Sequence, residues 1–155
     1  MKLVDLIPQA AIVPSLAATE RDGVIRELVT AAVEAGSVGE GVRDTLVQEI
    51  IARETKGTTG FGKCVAVPHT KRPEVSEVTA ALGVSRQGVD FNSLDGQPVY
   101  IIVLLLSPAD KSKAHITAMD VIFTNLQDDR FRNALRTADT REAITGVLAS
   151  ARERS

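Results

Sequence analysis

The longest apolar run of the chain, Val99–Leu106, most strongly limits the folds that this sequence can adopt. The run is far shorter than the roughly 20 apolar residues that a membrane-spanning helix needs. A short strand that is apolar on both faces is typical of a sheet that helices cover on each side. The run therefore predicts a central β-strand in a layered α/β domain, and it argues against direct insertion of the chain into a membrane.

Helical patterns flank the strand patterns on both sides along the chain. Before the strands, apolar residues at helical spacing predict one helix that begins at Thr19 or Glu20 and ends at Gly36, and another from about Glu40. After the strands, the predicted helices begin at about Ser112 and span Asp129–Arg136 and Thr140–Ala151. The apolar side of the Ser112 helix is predicted to hold Ile116, Met119, Ile122, Phe123 and Leu126.

Three shorter segments carry strand patterns. Val65–Val67 and Val78–Val84 predict strands, and Gly88–Phe91 is a candidate edge strand. Pro68 stops ladder pairing at its own position, so His69 is expected just past a strand end. Helices, then strands, then helices predict an α/β fold, a mixed β-sheet sandwiched between helices, as a single domain over residues 1–155. The pattern leaves the order of the strands open.

Charge and composition exclude several classes of function. The chain has 18 basic and 20 acidic side chains and a formal net charge of -2, so it has no positive field to hold a nucleic-acid backbone. Aromatic residues make up 3%, which leaves little for stacking on single-stranded bases. One cysteine cannot form an internal disulfide, and Asp5 and Pro8 interrupt the apolar N-terminal stretch. We therefore expect a cytoplasmic protein without a secretory signal.

The segment Thr55–Lys63 is rich in glycine and predicts a loop whose backbone can approach a ligand closely. Within it, Gly57–Cys64 nearly matches the nucleotide-binding pattern G-x-x-x-x-G-K-[ST], lacking the final hydroxyl that would hold magnesium. A nucleotide-binding loop runs from a strand into a helix, whereas this loop runs from a helix into a strand. We therefore interpret the match as accidental.

Cys64 and His69 raise the alternative of a cysteine nucleophile activated by a histidine. In an extended segment the side chains alternate between faces, so these two residues are expected on opposite faces. The sequence instead favours a small buried cysteine that packs as a hydrophobic residue.

His69 and His115 are the two histidines of the chain, and both lie at element ends beside polar or glycine-rich segments. From the residues alone they are two unrelated surface histidines, a metal site or a paired catalytic site. A metal site is disfavoured because no third ligand stands at a recognisable spacing, and we expect no metal or other cofactor. A phosphohistidine relay fits better, since the Thr58–Gly62 loop offers donors and Arg53 a bidentate fork. Arg53 is equally compatible with a simple cation at its helix end.

One ordered set of motifs is specific enough to indicate a family. It consists of Arg53-Glu54, Thr59-Gly60-Phe61-Gly62, Val65-Ala66-Val67-Pro68-His69, Asp95-Gly96-Gln97-Pro98-Val99 and His115 at a helix start. The set resembles the enzyme IIA domain of the mannitol/fructose-type phosphoenolpyruvate-dependent sugar phosphotransferase system, including its nitrogen-regulatory relatives. The resemblance covers essentially the whole chain and implies a mixed sheet sandwiched by helices.

The resemblance implies a phosphoryl carrier. His69 would accept a phosphoryl group from the histidine-containing phosphocarrier protein and pass it to a cysteine of a IIB domain, or its phosphorylation would serve as a regulatory signal to a protein target. His115 would be the partner imidazole, Arg53 would bind the phosphate, and Thr59 would line the loop beside it. The alternative is a non-catalytic regulatory binding module on the same fold.

Three positions depart from the usual pattern of that family. Cys64 stands where glycine is usual, which bears on the tightness of the loop. Thr70 and Lys71 follow the histidine where a small residue is common, and Lys71 adds positive charge toward the phosphate. Phe61 is either a core residue or part of a shallow surface on which the carrier docks.

Both imidazoles of such a carrier are expected to be neutral. His69 attacks as the neutral ring, and the sequence leaves open which of its nitrogens does so. The positive end of a helix dipole is expected to disfavour a protonated His115. Its neutral ring still has one N–H to donate to a phosphoryl oxygen.

Overall fold

The computed structural model describes residues 1–153, so the last two residues of the predicted domain lie outside the described part. The elements in chain order are α1 (Leu3–Leu6), β1 (Ile12–Val13), α2 (Arg21–Glu34), α3 (Arg43–Lys56), β2 (Val65–Ala66), β3 (His69–Arg72), β4 (Thr79–Val89), β5 (Val99–Pro108), α4 (Ser112–Leu126), α5 (Asp129–Thr137) and α6 (Arg141–Ala149). Among the described residues, no helix combines the length and apolar character needed to cross a membrane.

The helices begin and end close to where the sequence patterns place them. The side chain of Glu20 caps α2 by accepting hydrogen bonds from the backbone N–H groups of Asp22 and Gly23. Gly36 follows that helix with a φ of 77°, a left-handed conformation that glycine adopts without strain. Thr140 caps α6 in the same way, through the N–H of the third helical residue. These predicted helices are confirmed.

Strand β5 is the central strand of the sheet, as its apolar run predicts. It pairs with β4 antiparallel on one side, and with β2 and then β3 in parallel on the other. At the edge, β1 pairs with β4 in parallel. The sheet is therefore mixed, and helices pack on both of its faces, which confirms the predicted fold class.

Side-chain alternation along β5 divides the core into two halves. From Ile101 to Leu106, the odd-numbered residues pack with side chains of α4, α5 and α6, and the even-numbered residues pack with side chains of α2 and α3. Full burial of one Leu or Ile side chain stabilises a protein by roughly 1.5–3 kcal/mol. A strand buried on both faces therefore fixes the position of every element that pairs with it, including β3.

Strand β3 was not expected from the sequence: His69 lies past the end of β2, as predicted, but it also begins this further strand. Pro68 ends the β2 ladder, but its carbonyl accepts a hydrogen bond from the Leu105 N–H at 2.9 Å. His69 then begins β3 directly opposite Leu105. The proline therefore interrupts the pairing with β5, but the chain stays beside β5 and pairs with it again from His69.

The candidate edge strand over Gly88–Phe91 is wrong as a separate element. Strand β4 continues to Val89, which pairs with Val99 beyond a register irregularity that follows Val84. Gly88 has a φ of 89°, and a Cβ there would lie 3.0 Å from the Cβ of Pro98. The chain bends within one strand because glycine permits this conformation and this close approach.

The buried face of α4 also differs from the predicted one. Ile116 is 66% exposed, whereas His115 and Asn125 are buried. His115 is hydrogen-bonded to Ser107, and Asn125 is hydrogen-bonded to the backbone of Arg152. Bonded polar groups can occupy a core position without a large desolvation cost. The prediction of Ile116 as a core residue is therefore wrong, while the other four residues of the predicted stripe pack in or against the core.

Candidate active site

The two histidines lie side by side at one end of the sheet. His69 is the first residue of β3, and His115 lies in the first turn of α4, which follows the central strand β5. Their ring centroids are 5.6 Å apart, with an angle of 52° between the planes. The interpretation as two unrelated surface histidines is therefore wrong.

The ring of His69 is held by its own main chain. Nδ1 lies 2.9 Å from the carbonyl oxygen of Val67. A carbonyl oxygen only accepts, so the proton of the neutral ring is on Nδ1 and the lone pair is on Nε2. The side chain is half-buried, which leaves one edge of the ring open to the cleft. The nitrogen available for chemistry, left open by the sequence, is thus Nε2.

The ring of His115 is buried and has a different partner. Its Nδ1 lies 2.6 Å from Oγ of Ser107, the residue of β5 that follows Leu106. Burial, and then the nearby side chains of His69 and Lys71, lower the pKa of His115 below its ordinary value. The expected direction holds, but the leading cause is desolvation rather than the helix dipole. His115 is accordingly a neutral imidazole at neutral pH.

Ser107 was missed by the sequence analysis, although a signal for it exists. It continues the odd-numbered face of β5 that Ile101, Val103 and Leu105 occupy, and it is fully buried. A serine at a buried position of an otherwise apolar strand requires a hydrogen-bond partner. That requirement points to a polar side chain on the helix that covers this face, which is α4.

Arg53 bonds to the backbone at the end of its helix and also lines the cleft that contains His69. Its Nη1 donates to the carbonyl of Gly57 at 2.7 Å, which satisfies a backbone acceptor just beyond the end of α3. Its side chain also lines a cleft together with His69 and Thr70, and an adjoining one with His69 and Thr59. An arginine has five N–H donors, so the remaining ones are available to an anion in this cleft.

Glu54 fixes the loop beside the cleft, a role that the sequence analysis did not assign. Its side chain is 3% exposed. One carboxylate oxygen accepts from the backbone N–H of Thr59 at 2.7 Å, and the other accepts from the Thr59 hydroxyl at 2.8 Å. Thr59 therefore lines the cleft while its hydroxyl proton is directed to Glu54. The pair connects the end of α3 to the middle of the loop.

An apolar rim borders His69 on the side of α4. It consists of Phe61, Met119 and Phe123, which line the same cleft as His69. The rings of Phe61 and Phe123 are 4.6 Å apart between centroids, and both side chains are half-buried. Phe61 thus packs against the core and also presents apolar surface next to the histidine.

Cys64 lies away from this cleft. It lines a separate pocket with Lys63, Arg132 and Arg136 and is half-buried, so the prediction of a buried core cysteine is wrong. Its φ of 66° places it in the left-handed region, which turns the chain into β2.

The loop joins α3 to β2, the helix-to-strand order that argued against nucleotide binding. Within residues 1–153, no group of three or more His, Cys, Asp or Glu side chains is placed to hold a metal ion.

Known proteins share sequence similarity with most of this chain. Residues 5–151 match the family model described as "Phosphoenolpyruvate-dependent sugar phosphotransferase system, EIIA 2". The chain is 33% identical over 149 residues to a nitrogen regulatory protein of Bradyrhizobium diazoefficiens, a match that covers 96% of this chain and 95% of that protein. It is 30% identical over 148 residues to the PTS system fructose-specific EIIABC component of Bacillus subtilis, which covers 96% of this chain but 23% of that protein.

Solved structures share the fold. The crystal structure of nitrogen regulatory protein IIA-Ntr from Neisseria meningitidis matches with a TM-score of 0.84 and 25% identity, over 94% of this chain and 98% of that one. Mannitol enzyme IIA from Escherichia coli, solved in complex with phosphorylated mannitol enzyme IIB, matches with a TM-score of 0.76 and 19% identity, over 93% and 99%. The second likeness is one of fold alone.

Proposed function

Because the chain belongs to the EIIA 2 family of the phosphoenolpyruvate-dependent sugar phosphotransferase system, we propose that it is a phosphoryl carrier whose accepting residue is His69. The observation that carries this proposal is the 2.9 Å hydrogen bond from His69 Nδ1 to the Val67 carbonyl, beside a second imidazole and an arginine. It leaves the lone pair on Nε2, the atom that a phosphoryl acceptor needs. Nε2 is thus the nitrogen that is phosphorylated.

The surrounding groups supply charge to the transferring phosphoryl group. Phosphoryl transfer depends mainly on positioning and on stabilisation of the equatorial oxygens. Arg53 offers the N–H groups that Gly57 does not use, and neutral His115 offers one N–H. Lys71 adds a cation close enough to influence His115. Thr59 holds the loop beside the phosphate through its bonds to Glu54.

The carrier cycle consists of two displacements at phosphorus. In the first, His69 Nε2 forms a bond to phosphorus while the bond to the donor histidine breaks, and the electron pair stays on the donor ring. In the second, a cysteine thiolate of the acceptor forms the new bond, and the electron pair of the broken bond returns to Nε2. Both steps proceed without a metal, nucleotide or other cofactor.

The donor in this proposal is the histidine-containing phosphocarrier protein, and the acceptor is a IIB domain. The likeness in fold to mannitol enzyme IIA, which was solved with phosphorylated enzyme IIB, supports the acceptor. The apolar rim of Phe61, Met119 and Phe123 beside His69 supports a protein partner, because a mixed polar and apolar surface around the reacting atom suits docking of another protein.

A regulatory role is the second candidate. It is favoured by the 33% identity to a nitrogen regulatory protein over 95% of that protein's length. In this role the phosphorylation state of His69 controls binding to a protein target. Affinity capture with the phosphorylated and unphosphorylated protein distinguishes the two roles. A sugar permease captured in the phosphorylated state supports transport, whereas a sensor or another transporter captured in one state only supports regulation.

The first experiment is intact-protein mass spectrometry after incubation with phosphoenolpyruvate, enzyme I and the histidine-containing phosphocarrier protein. Wild type is expected to gain one acid-labile phosphoryl group, and His69→Ala is expected to gain none. A homologous IIA domain in the same mixture controls for an active donor. Absence of an adduct on wild type, with the control domain phosphorylated, would instead support the non-catalytic binding module. That module is expected to bind its partner equally well as His69→Ala and as His69→Asp.

A further inference from the structure

Both histidine rings form a hydrogen bond through Nδ1, but the two bonding partners differ in kind. Nδ1 of His69 faces the carbonyl of Val67, which can only accept a hydrogen bond. Nδ1 of His115 faces the hydroxyl of Ser107, which can either donate or accept. The tautomer of His69 is therefore fixed by geometry, while that of His115 depends on which way the Ser107 hydroxyl points.

The burial of Ser107 decides that direction. Its side chain is fully buried, and the hydrogen bond to His115 Nδ1, at 2.6 Å, is the one that its hydroxyl makes among residues 1–153. If Nδ1 carried the proton and donated to Oγ, the serine proton would have no acceptor in a site closed to water. The hydroxyl therefore donates to Nδ1. The lowered pKa of His115 agrees, because a neutral ring has a lone pair to accept with.

We propose that Ser107 is a positioning residue that holds His115 in the Nε2–H tautomer, opposite to the Nδ1–H tautomer of His69. The pair then presents one lone pair, on His69 Nε2, and one N–H, on His115 Nε2. This inference rests on the proposed role of His69 as phosphoryl acceptor. Ser107 acts through His115 and needs no contact with the phosphoryl group.

Because their tautomers are opposite, the two histidines contribute differently to phosphoryl transfer. His69 Nε2 bonds to phosphorus, and His115 Nε2–H donates to one of the phosphoryl oxygens as negative charge is redistributed over them. With His115 in the other tautomer, a lone pair would face those oxygens and repel them. Loss of the Ser107 hydroxyl leaves both tautomers of His115 accessible and removes part of this stabilisation.

The decisive measurement is nitrogen-15 NMR of the histidine rings in the unphosphorylated protein. For wild type we expect His69 protonated on Nδ1 and His115 protonated on Nε2. For Ser107→Ala we expect the His115 nitrogens to shift toward a mixture of the two tautomers, with His69 unchanged. A wild-type His115 that carries its proton on Nδ1 overturns the proposal, whatever the variants do.

A second readout is the rate of phosphoryl transfer to His69. Removal of one preorganised donor costs about 100-fold or more in rate. Ser107→Ala leaves part of the His115 population in the Nε2–H tautomer, so we expect phosphoryl transfer to slow by about tenfold. Ser85→Ala is the matched control, because Ser85 is a buried serine of β4 whose hydroxyl accepts from the Gly88 N–H. Ser107→Thr keeps a hydroxyl and is expected to keep the wild-type tautomer and most of the rate.

The outcomes separate this inference from the carrier proposal. Ser107→Ala with the tautomer and rate of Ser85→Ala overturns the positioning role. A wild type that has the expected tautomers but takes no phosphoryl group contradicts the carrier proposal, while the assignment of the Ser107 hydrogen bond stands. If Ser107→Ala does not fold, the wild-type spectrum and the Ser107→Thr variant still decide the direction of the bond.

Discussion

The two halves of the Gly57–Cys64 loop are built in different ways. The first half, Gly57–Gly60, is held beside the histidine cleft by side-chain hydrogen bonds, above all those between Glu54 and Thr59. The second half, Gly62–Cys64, is held by backbone conformation, with a positive φ at three successive residues. We therefore expect changes that disturb the hydrogen bonds or the packing of the first half to alter both stability and phosphoryl transfer, and changes in the second half to alter stability alone.

The largest effect is expected from Gly60→Ala in the first half. A Cβ at this position would lie 2.4 Å from Oγ and 3.2 Å from Cα of Ser93, which is itself buried. The loop must move to relieve this clash, at a cost of about 1–3 kcal/mol in the free energy of unfolding. Phosphoryl transfer is expected to fall at least about tenfold, because misplacement of groups around the reacting atom is costly. Urea unfolding and the rate of phosphorylation measure both effects.

Gly57→Ala is the matched control for this substitution. A Cβ at Gly57 meets Arg53 Nη1 at 3.7 Å, an ordinary contact, and the φ of Gly57 is −173°, which any residue adopts. It is expected to change the free energy of unfolding by less than about 1 kcal/mol. If Gly60→Ala behaves like Gly57→Ala in both assays, the first half of the loop is not fixed as described.

A smaller effect is expected from Glu54→Gln, which keeps the shape of the side chain but changes its hydrogen bonding. The N–H and the hydroxyl of Thr59 bond to different carboxylate oxygens, and the amide replaces one of these oxygens with an NH₂ group that cannot accept. Loss of a hydrogen bond to a buried carboxylate costs about 1.5–3 kcal/mol, and we expect the lower end because the amide NH₂ can donate to the hydroxyl instead. Unfolding in urea and the phosphorylation rate are the measurements.

Asp44→Asn on the same helix is the comparison for Glu54→Gln. Asp44 is exposed in the first turn of α3, at the opposite end from Arg53, and its ion pairs with Arg26 and Arg43 are long, so its loss is expected to have little effect on stability or on rate. A double variant of Glu54→Gln with Thr59→Val tests the coupling directly. Additive effects on the free energy of unfolding would contradict a direct interaction between the two residues.

The sequence predicted the parts of the molecule that depend on local pattern. The apolar run of β5, the helix caps and the loop all follow from residues close together in the chain. The residue types alone favoured a phosphohistidine relay with Arg53, His69 and His115, and the resemblance to a known family assigned their roles. The structure brings His69 next to His115 through the parallel pairing of β3 with β5, which sequence periodicity does not specify.

The missed features depend on hydrogen bonds between side chains of different elements and loops, or on backbone conformation, and hydrophobic periodicity specifies neither. Ser107 and Glu54 are polar residues that become buried because His115 and Thr59 satisfy them. The pattern for α4 placed Ile116 inside because hydrophobicity alone does not reveal that a bonded histidine takes the core position. Cys64 was assigned to the core by residue type, whereas its position is set by a left-handed turn.

In the second half of the loop, Cys64→Gly is expected to stabilise the protein slightly. A side chain at a φ of 66° costs about 1–2 kcal/mol, and glycine removes this cost but adds about 0.5–1 kcal/mol of unfolded-state entropy. The net gain is about 0.5 kcal/mol, measurable by urea unfolding, with the phosphorylation rate unchanged. Cys64→Ala retains the Cβ and is expected to give no such gain. A slower phosphorylation of Cys64→Gly would contradict the separation of the two halves.

A change of pH is expected to have the smallest effect on the free energy of unfolding, and it tests the histidine cleft rather than the loop. The pKa of His115 is lower in the folded protein than its ordinary value of 6.5, so between those values the unfolded chain binds more protons. The contribution to stability is therefore complete above about pH 6.5 and is lost as the pH falls through the folded pKa. His115→Asn keeps an acceptor for the Ser107 hydroxyl but does not titrate, so its stability is expected to fall less steeply between pH 7 and pH 5. If the free energy of unfolding in urea depends on pH equally in wild type and in His115→Asn, then His115 does not titrate differently in the folded state. Cys64→Gly is the control and is expected to show the pH dependence of wild type, because the pocket that Cys64 lines lies apart from both histidines.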